Sequence, residues 1–194
     1  LVPEHAGGKE VKKFEEALEV EAVKTSIASS SLIGVLCKGN KHGFVMPEIA
    51  EKTEVESLES KGLKVKVMKG NLALGNLIAV NDSKAVLSPM LSKKQQKEIS
   101  DFLKVESIEM KIAGNEIAGS SLVLSNKGFI ASNKITQKEF DKLKAFLKIE
   151  GKATTANYGD SFVGNSVIAN SKAIITGMLT TNVEILRIQE GLGA

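Results

Sequence analysis

One phrase recurs along the chain. Residues 75–89 read GNLIAVNDSKAVLSP; GNSVIANSKAIITG begins at Gly164, GSSLVLSNKGFIAS at Gly119 and SSSLIGVLCKGNKHGFVMP at Ser29. The asparagines Asn40, Asn81, Asn126 and Asn170 are 41, 45 and 44 residues apart. A second marker, Leu-Lys-Val-Glu in its best copies, has leucines at Leu18, Leu63, Leu103 and Leu147, spaced 45, 40 and 44. The three prolines, Pro3, Pro47 and Pro89, end the same part of the phrase. A fixed period of this length means repeated supersecondary units that bury their apolar faces only against neighbours.

Within a unit, two short β-branched runs such as 77–80 and 85–87 flank Asn-Asp-Ser-Lys or Asn-Lys-Gly. Those residues tolerate positive φ or bond their own backbone, so this part reads as a β-hairpin. Proline after the second run fits a strand end, where no ladder donor is needed. A helix start follows each time, as the capping boxes Thr53-x-x-Glu56, Ser92-x-x-Gln95, Thr136-x-x-Glu139 and Thr181-x-x-Glu184, with Gly7 and Glu10 in the first unit. Apolar residues then recur at helical spacing (Ile99, Phe102, Leu103; Phe140, Leu143, Leu147). The Leu-Lys-Val-Glu marker alternates, which predicts a closing strand with one buried face. The expected unit is therefore hairpin, helix and strand, about 43 residues long. Neither end reads as a solenoid cap, so closure of one α/β domain is expected. Its units fall at 1–25 (partial), 26–69, 70–113, 114–157 and 158–194 (partial).

Composition excludes several classes. One cysteine, Cys37, allows no internal disulfide and points to a reducing compartment. Nothing reads as a Cys/His metal cluster, a signal peptide or a membrane span, so a cytoplasmic protein without cofactor or metal is expected. The formal charge of +3 is the balance of 26 basic against 23 acidic residues, and Arg187 is the one arginine. Base reading leans on the planar arginine fork and single-strand stacking on aromatics, yet there is one tyrosine and no tryptophan. Nucleic-acid contact is therefore expected to be peripheral at most. Lys-rich helix faces such as 93–97 read as solvated.

The glycine-polar pairs precede strands rather than helices, the reverse of a phosphate loop. They serve either turn chemistry or a docking rim that approaches another backbone closely. On the docking reading the rim is formed by Ser30, Ser31, Gly75, Asn76, Ser120 and Asn165, with Lys38 and Lys69 near it.

The stretch from Gly39 to Pro47 (GNKHGFVMP), Ala73-Leu74-Gly75-Asn76 with Asn81-Asp82, residues 124–128 (LSNKG) and Thr180-Thr181-x-x-Glu184 together resemble the translation initiation factor 6 family in its archaeal form, over the whole chain. The resemblance implies a pentein fold, five pseudo-symmetric α/β units around an axis. It also implies ribosome anti-association: binding the large subunit, chiefly at ribosomal protein L14 beside the sarcin-ricin loop, and blocking the small subunit as a monomer. Family members carry an N-terminal segment that closes the fifth unit and supplies the first hairpin. The chain lacks roughly 25 to 30 such residues, so a shortened start is expected. Penteins also include guanidine-modifying hydrolases, whose nucleophile here would be Cys37 with His42 as base. A lone strand cysteine is otherwise a small core residue, and a purely structural repeat scaffold is the remaining alternative.

Overall fold

A computed structural model describes residues 1–193; Ala194, the last residue of the expected fifth unit, lies outside the described residues. Two short strands and a helix come first, β1 (Val2–Pro3), α1 (Gly8–Leu18) and β2 (Lys24–Thr25). One order of elements then recurs, beginning with a one-turn helix. It runs through α2 (Ile33–Leu36), β3 (Lys38–Asn40), β4 (Gly43–Pro47), α3 (Lys52–Ser60) and β5 (Val65–Met68). The next pass is α4 (Leu74–Leu77), β6 (Ile78–Val80), β7 (Lys84–Leu87), α5 (Lys93–Leu103) and β8 (Glu106–Glu109). After it come α6 (Ala118–Ser121), β9 (Leu122–Leu124), β10 (Gly128–Ser132), α7 (Gln137–Leu147) and β11 (Glu150–Thr154). Last are a 3-10 turn (Val163–Asn165), β12 (Val167–Ala169), β13 (Ile174–Thr176) and α8 (Asn182–Leu192). The fold is mixed α/β. No described helix is long and apolar enough to cross a membrane.

Three sheets have one build. In β3-β4-β5, β6-β7-β8 and β9-β10-β11 an antiparallel hairpin accepts a parallel third strand after a helical crossover. The other two sheets each hold half of that pattern. β12 and β13 form a hairpin with no third strand among the described residues, and β1 and β2 pair in parallel with no inner hairpin strand. The N-terminal strand thus lies on β2 and not beside β13.

The closing strands start later than their marker predicts. Residues Glu19, Lys104 and Lys148 of the marker are left-handed helix C-caps with φ of 51°, 54° and 57°. The alternation there is the end of a helical stripe plus its cap, and the strand begins two residues after Lys104 and Lys148 and five after Glu19. Three of the expected capping boxes form, at Ser92, Thr136 and Thr181. In α3 the box is Glu51 with Glu54, not Thr53 with Glu56; the Glu51 N–H donates to Glu54 Oε2 at 2.9 Å and Thr53 is already inside the helix. The one-turn helices before each hairpin do not appear in the periodicity, because four residues are too few to show it.

The helices pack between sheets. Ile99 and Leu103 of α5 meet Val45 and Met68 on one side and Ile78, Ala85 and Leu87 on the other. Leu143 and Leu147 of α7 join Ala79 and Val86 to Leu122, Leu124 and Phe129. Ile188 and Leu192 of α8 pack with Ile130 and Val167, and Leu58 of α3 packs with Ile27, Cys37 and Met46. Three of the four clusters therefore join adjacent sheets, and every fully buried side chain in them contributes about 1.5–3 kcal/mol.

At one end, the hairpin turns latch onto their neighbours. Asn81 Oδ1 accepts the N–H groups of Ser83 and Lys84 (2.9 and 2.8 Å), while its Nδ2 donates to the Ser125 carbonyl at 2.9 Å. Asn40 Nδ2 donates to the carbonyls of Asn81 and Leu103, at 3.1 and 2.9 Å. Asn170 does the same to the Leu18 carbonyl at 2.7 Å, so the last turn is joined to the end of α1; the 2.8 Å Lys172–Glu19 ion pair lies beside it. In the third turn the marker Asn126 bonds the neighbouring Asp82 at 3.0 and 2.8 Å, and the latch onto a carbonyl is Ser125. Its hydroxyl accepts from the N–H groups of Lys127 and Gly128 and donates to the Leu192 carbonyl at 2.9 Å. A side chain with both acceptor and donor is what the position requires, and serine supplies both. Asn81→Ala removes both functions from a buried site, and a loss of about 1–3 kcal/mol in urea unfolding is expected.

Candidate functional site

The opposite ends of the inner strands carry α2, α4, α6 and the 3-10 turn, which stack in chain order through glycine. A Cβ on Gly75 would lie 1.9 Å from the Gly34 carbonyl oxygen. On Gly119 it would lie 2.1 Å from that of Gly75, and on Gly164 2.1 Å from that of Gly119. No real Cβ tolerates such distances from backbone, so each of these glycines admits the turn before it. None of the three has positive φ; close approach alone is the reason. Gly34, Gly75, Gly119 and Gly164 line one cavity of about 560 Å³, together with Leu1, Phe14, Leu32, Cys37, Lys38 and Ile168 among others.

Of the expected rim residues, Ser31, Lys38, Gly75, Asn76 and Asn165 border this cavity, and Ser30, Lys69 and Ser120 do not. Ser120 is buried inside α6. Ser30 exchanges both backbone hydrogen bonds with Ile27, and its hydroxyl accepts from the Leu32 N–H. Lys69 follows β5, where its carbonyl accepts from Gln95 Nε2 at 3.0 Å. Gly75 is itself buried and lies against Gly34 of the same chain. The pairing of Ser30-Ser31 with Gly75-Asn76 is also displaced: Gly34-Val35 occupies that place, with Ser30 and Ser31 in the loop before it. The interval from Gly34 to Gly75 and onward, 41, 44 and 45 residues, repeats the spacing of the latch residues 40, 81, 125 and 170, and is the sequence signal for this register. Leu32 and Ile168, both more than half exposed, join the rim unexpectedly.

The loops leading into the one-turn helices are left-handed and are clamped by helix-start carboxylates. Glu54 accepts from the Ala28 and Ser29 N–H groups (2.7 and 3.0 Å) and from Ser26 Oγ at 2.6 Å. Glu184 accepts from the Gly159 and Tyr158 N–H groups (2.8 and 3.3 Å), from Thr155 Oγ1 at 2.7 Å and from its own cap. Glu139 takes the Gly114 N–H at 3.3 Å. The donors sit at positive φ, for example 53° at Ala28 and 66° at Tyr158, so each carboxylate stabilises a backbone that would otherwise be strained. Burial pushes the Glu184 carboxyl up, but the Thr155 hydroxyl, the Thr181 and Gly159 N–H groups and the Thr181 hydroxyl outweigh it and hold it at about 2. The same opposition, burial against donated hydrogen bonds, leaves Glu54 and Glu139 below the ordinary carboxylate value. The fourth clamp is Gln95, which donates instead of accepting.

Cys37 is buried, and burial pushes its thiol up to about 12 against the pull of the N-terminal amine and Lys38. A thiol held protonated is not an activated nucleophile. His42 serves the turn through its backbone, with its N–H on Asn40 Oδ1 at 2.9 Å. Burial lowers the Lys38 ammonium pKa, with Cys37 opposing. Among the described residues no group of three or more His, Cys, Asp or Glu is placed to hold a metal.

Comparison with known proteins adds to this geometry. The model of the eIF-6 family matches residues 1–191. The chain is 38% identical over 202 residues to translation initiation factor 6 of Methanocaldococcus jannaschii and 35% identical over 200 residues to that of Pyrococcus abyssi. Each match takes in 100% of this chain and 88% of the relative. The Thermoplasma acidophilum protein of the same name is 36% identical over 187 residues, 96% of this chain and 86% of its own length.

Two outcomes are expected. Cys37 should stay unmodified by a thiol reagent such as DTNB in the native protein and react once it is unfolded. The Glu184 carboxyl is depressed in the fold, so its stabilisation is complete above the ordinary value of 4.5 and is lost as pH falls through about 2. Glu184→Gln should flatten the stability profile across that window in thermal melts, with little further change in slope above pH 5.

Proposed function

Because the chain belongs to the eIF-6 family, we propose that it is a translation initiation factor that acts by occupancy on the large ribosomal subunit. The observation that carries this reading is the glycine-stacked face. The loop before α2, with α4 and the 3-10 turn, presents Ser31, Leu32, Asn76 and Asn165 together, on backbone that touches backbone. Small polar groups on a rigid support can approach and hydrogen-bond another macromolecule without a cofactor. The expected partner is ribosomal protein L14 beside the sarcin-ricin loop, with Lys38 and Lys69 contributing no more than peripheral charge toward rRNA. A bound monomer fills volume that the small subunit needs, so joining is blocked while it stays. No reaction is required, and the protonated Cys37 thiol favours binding over hydrolysis.

The same reading makes the fold a pentein of five units in a cytoplasmic protein, with units at 1–25, 26–69, 70–113, 114–157 and 158–194. Its support is the recurring element order and the latch from Asn170 to Leu18, which links the last hairpin to the first helix. Two strand positions of a complete set are unfilled among the described residues, one beside β13 and one beside β1.

In sucrose-gradient sedimentation of extract containing tagged protein, co-migration with the large subunit and absence from joined ribosomes is expected. A scaffold without ribosomal preference would remain in the slowly sedimenting fractions at the top of the gradient. Asn76→Arg places a long cation on the face and should weaken large-subunit binding at least about tenfold, with the circular dichroism melt little changed. Unchanged affinity in a folded variant would remove this face from the interface.

A further inference from the structure

A second surface carries exposed apolar side chains at helix positions where the matching helices are polar. On α8, Val183 and Leu186 are each 60% exposed. The repeat supplies internal controls, because the helices can be aligned on their N-caps. The residues matching Val183 are Lys9, Thr53, Lys94 and Lys138, and those matching Leu186 are Lys12, Glu56, Lys97 and Asp141, all exposed. Four helices thus solvate these two positions and α8 does not. The segment before α8 extends the patch, since Met178 is 99% and Leu179 64% exposed, and Tyr158 in the neighbouring loop is 80% exposed.

These side chains stand on an ordered polar frame. Asn157 Oδ1 accepts the Leu179 N–H at 3.1 Å, and the Asn157 N–H donates to Thr180 Oγ1 at 3.1 Å. The Tyr158 N–H is held by Glu184, and Gly177 admits Asn157 so closely that a Cβ would sit 2.6 Å from its Oδ1. Ordered apolar patches on otherwise polar surfaces mark association sites. The chemistry of the edge indicates the occupant. Arg187, the one arginine, is exposed one residue from Leu186 and one helical turn from Val183, and no carboxylate pairs with it among the described residues. A nucleic acid would favour lysine at the positions that have become valine and leucine.

We propose that the α8 face, with Tyr158, Met178 and Leu179, docks a protein segment that presents an apolar ridge beside a carboxylate, the carboxylate pairing with Arg187. An amphipathic helix has that form, with apolar anchors one turn apart and an acid at the flank.

The test uses the full chain and a synthetic amphipathic helical peptide with leucines at i, i+3, i+4 and i+7 flanked by glutamates. A twin flanked by lysines, phosphatidylcholine–phosphatidylserine vesicles and poly(U) are the comparison probes. Tyr158 is the one tyrosine and there is no tryptophan, so its fluorescence reports from within the patch. Saturable binding of the glutamate peptide is expected, at least about tenfold tighter than its twin. The double substitution Val183→Lys and Leu186→Lys should abolish it while leaving the fold intact, since α5 carries lysine at both places. Arg187→Glu should reverse the preference toward the lysine twin. Equal binding of both peptides, binding that survives the double substitution, or preference for vesicles or poly(U) overturns the proposal. So does concentration-dependent dimerisation that the double substitution removes, which would make a second copy the occupant. None of these outcomes bears on large-subunit binding through the glycine face, which the Asn76→Arg gradient reads separately.

Discussion

Backbone meets backbone where Gly75 lies against Gly34, Gly119 against Gly75 and Gly164 against Gly119. The one-turn helices can stack only because no side chain intervenes, and their stacking sets the separation of the inner strands β3, β6, β9 and β12. Those strands then lie close enough for the hairpin turns at their other ends to latch, Asn40 on Asn81 and Asn81 on Ser125. A methyl group at one glycine would have to push apart two carbonyl-lined turns and, through the strands, the latches as well.

The apolar clusters depend on this spacing. Helices α5, α7 and α8 each fill the wedge between their own sheet and a neighbouring one, so without that neighbour part of the stripe would lie in water. Stability is accordingly shared at borders and not stored within units. The half-built sheets at β1-β2 and β12-β13 are the exception, because their borders lack strands that the complete sheets possess. Leu1 and Phe14 there line the cavity, and Phe14 and Ile175 border a second hollow between α1 and β13.

Charge is used locally. Glu54, Glu139 and Glu184 close helix starts and at the same time hold loops whose φ values are positive, so one carboxylate satisfies donors from two elements. Most ion pairs are lysine–carboxylate contacts on the surface, such as Lys97 with Asp101 at 2.6 Å, where solvent screening leaves them little weight. Departures from the repeat therefore stand out against a regular background. Gln95 inverts the polarity of a clamp, Ser125 substitutes for an asparagine, and Val183 with Leu186 replaces a solvated helix face.

The sequence by itself determined what local chemistry decides. Turn residues, capping boxes at Ser92, Thr136 and Thr181, apolar stripes and the recurring period specify hairpin, helix and strand in order, since each rests on contacts within a few residues. The tertiary structure decided what depends on atoms 25 to 67 residues away along the chain. Gly75 reads as a turn or rim residue until the Gly34 carbonyl is seen beside it, and Ser125 reads as a neighbour of the marker Asn126 until the Leu192 carbonyl defines the latch. Glu54 has no role in a box read as Thr53 with Glu56 until the N–H groups of Ala28 and Ser29 converge on it. Lys38 reads as a surface cation, yet its strand turns it toward a cavity where burial lowers its pKa. The physical reason is common to all four. A steric contact or a shared hydrogen bond between segments leaves no periodic trace in either one, and it exists only when the fold brings both together.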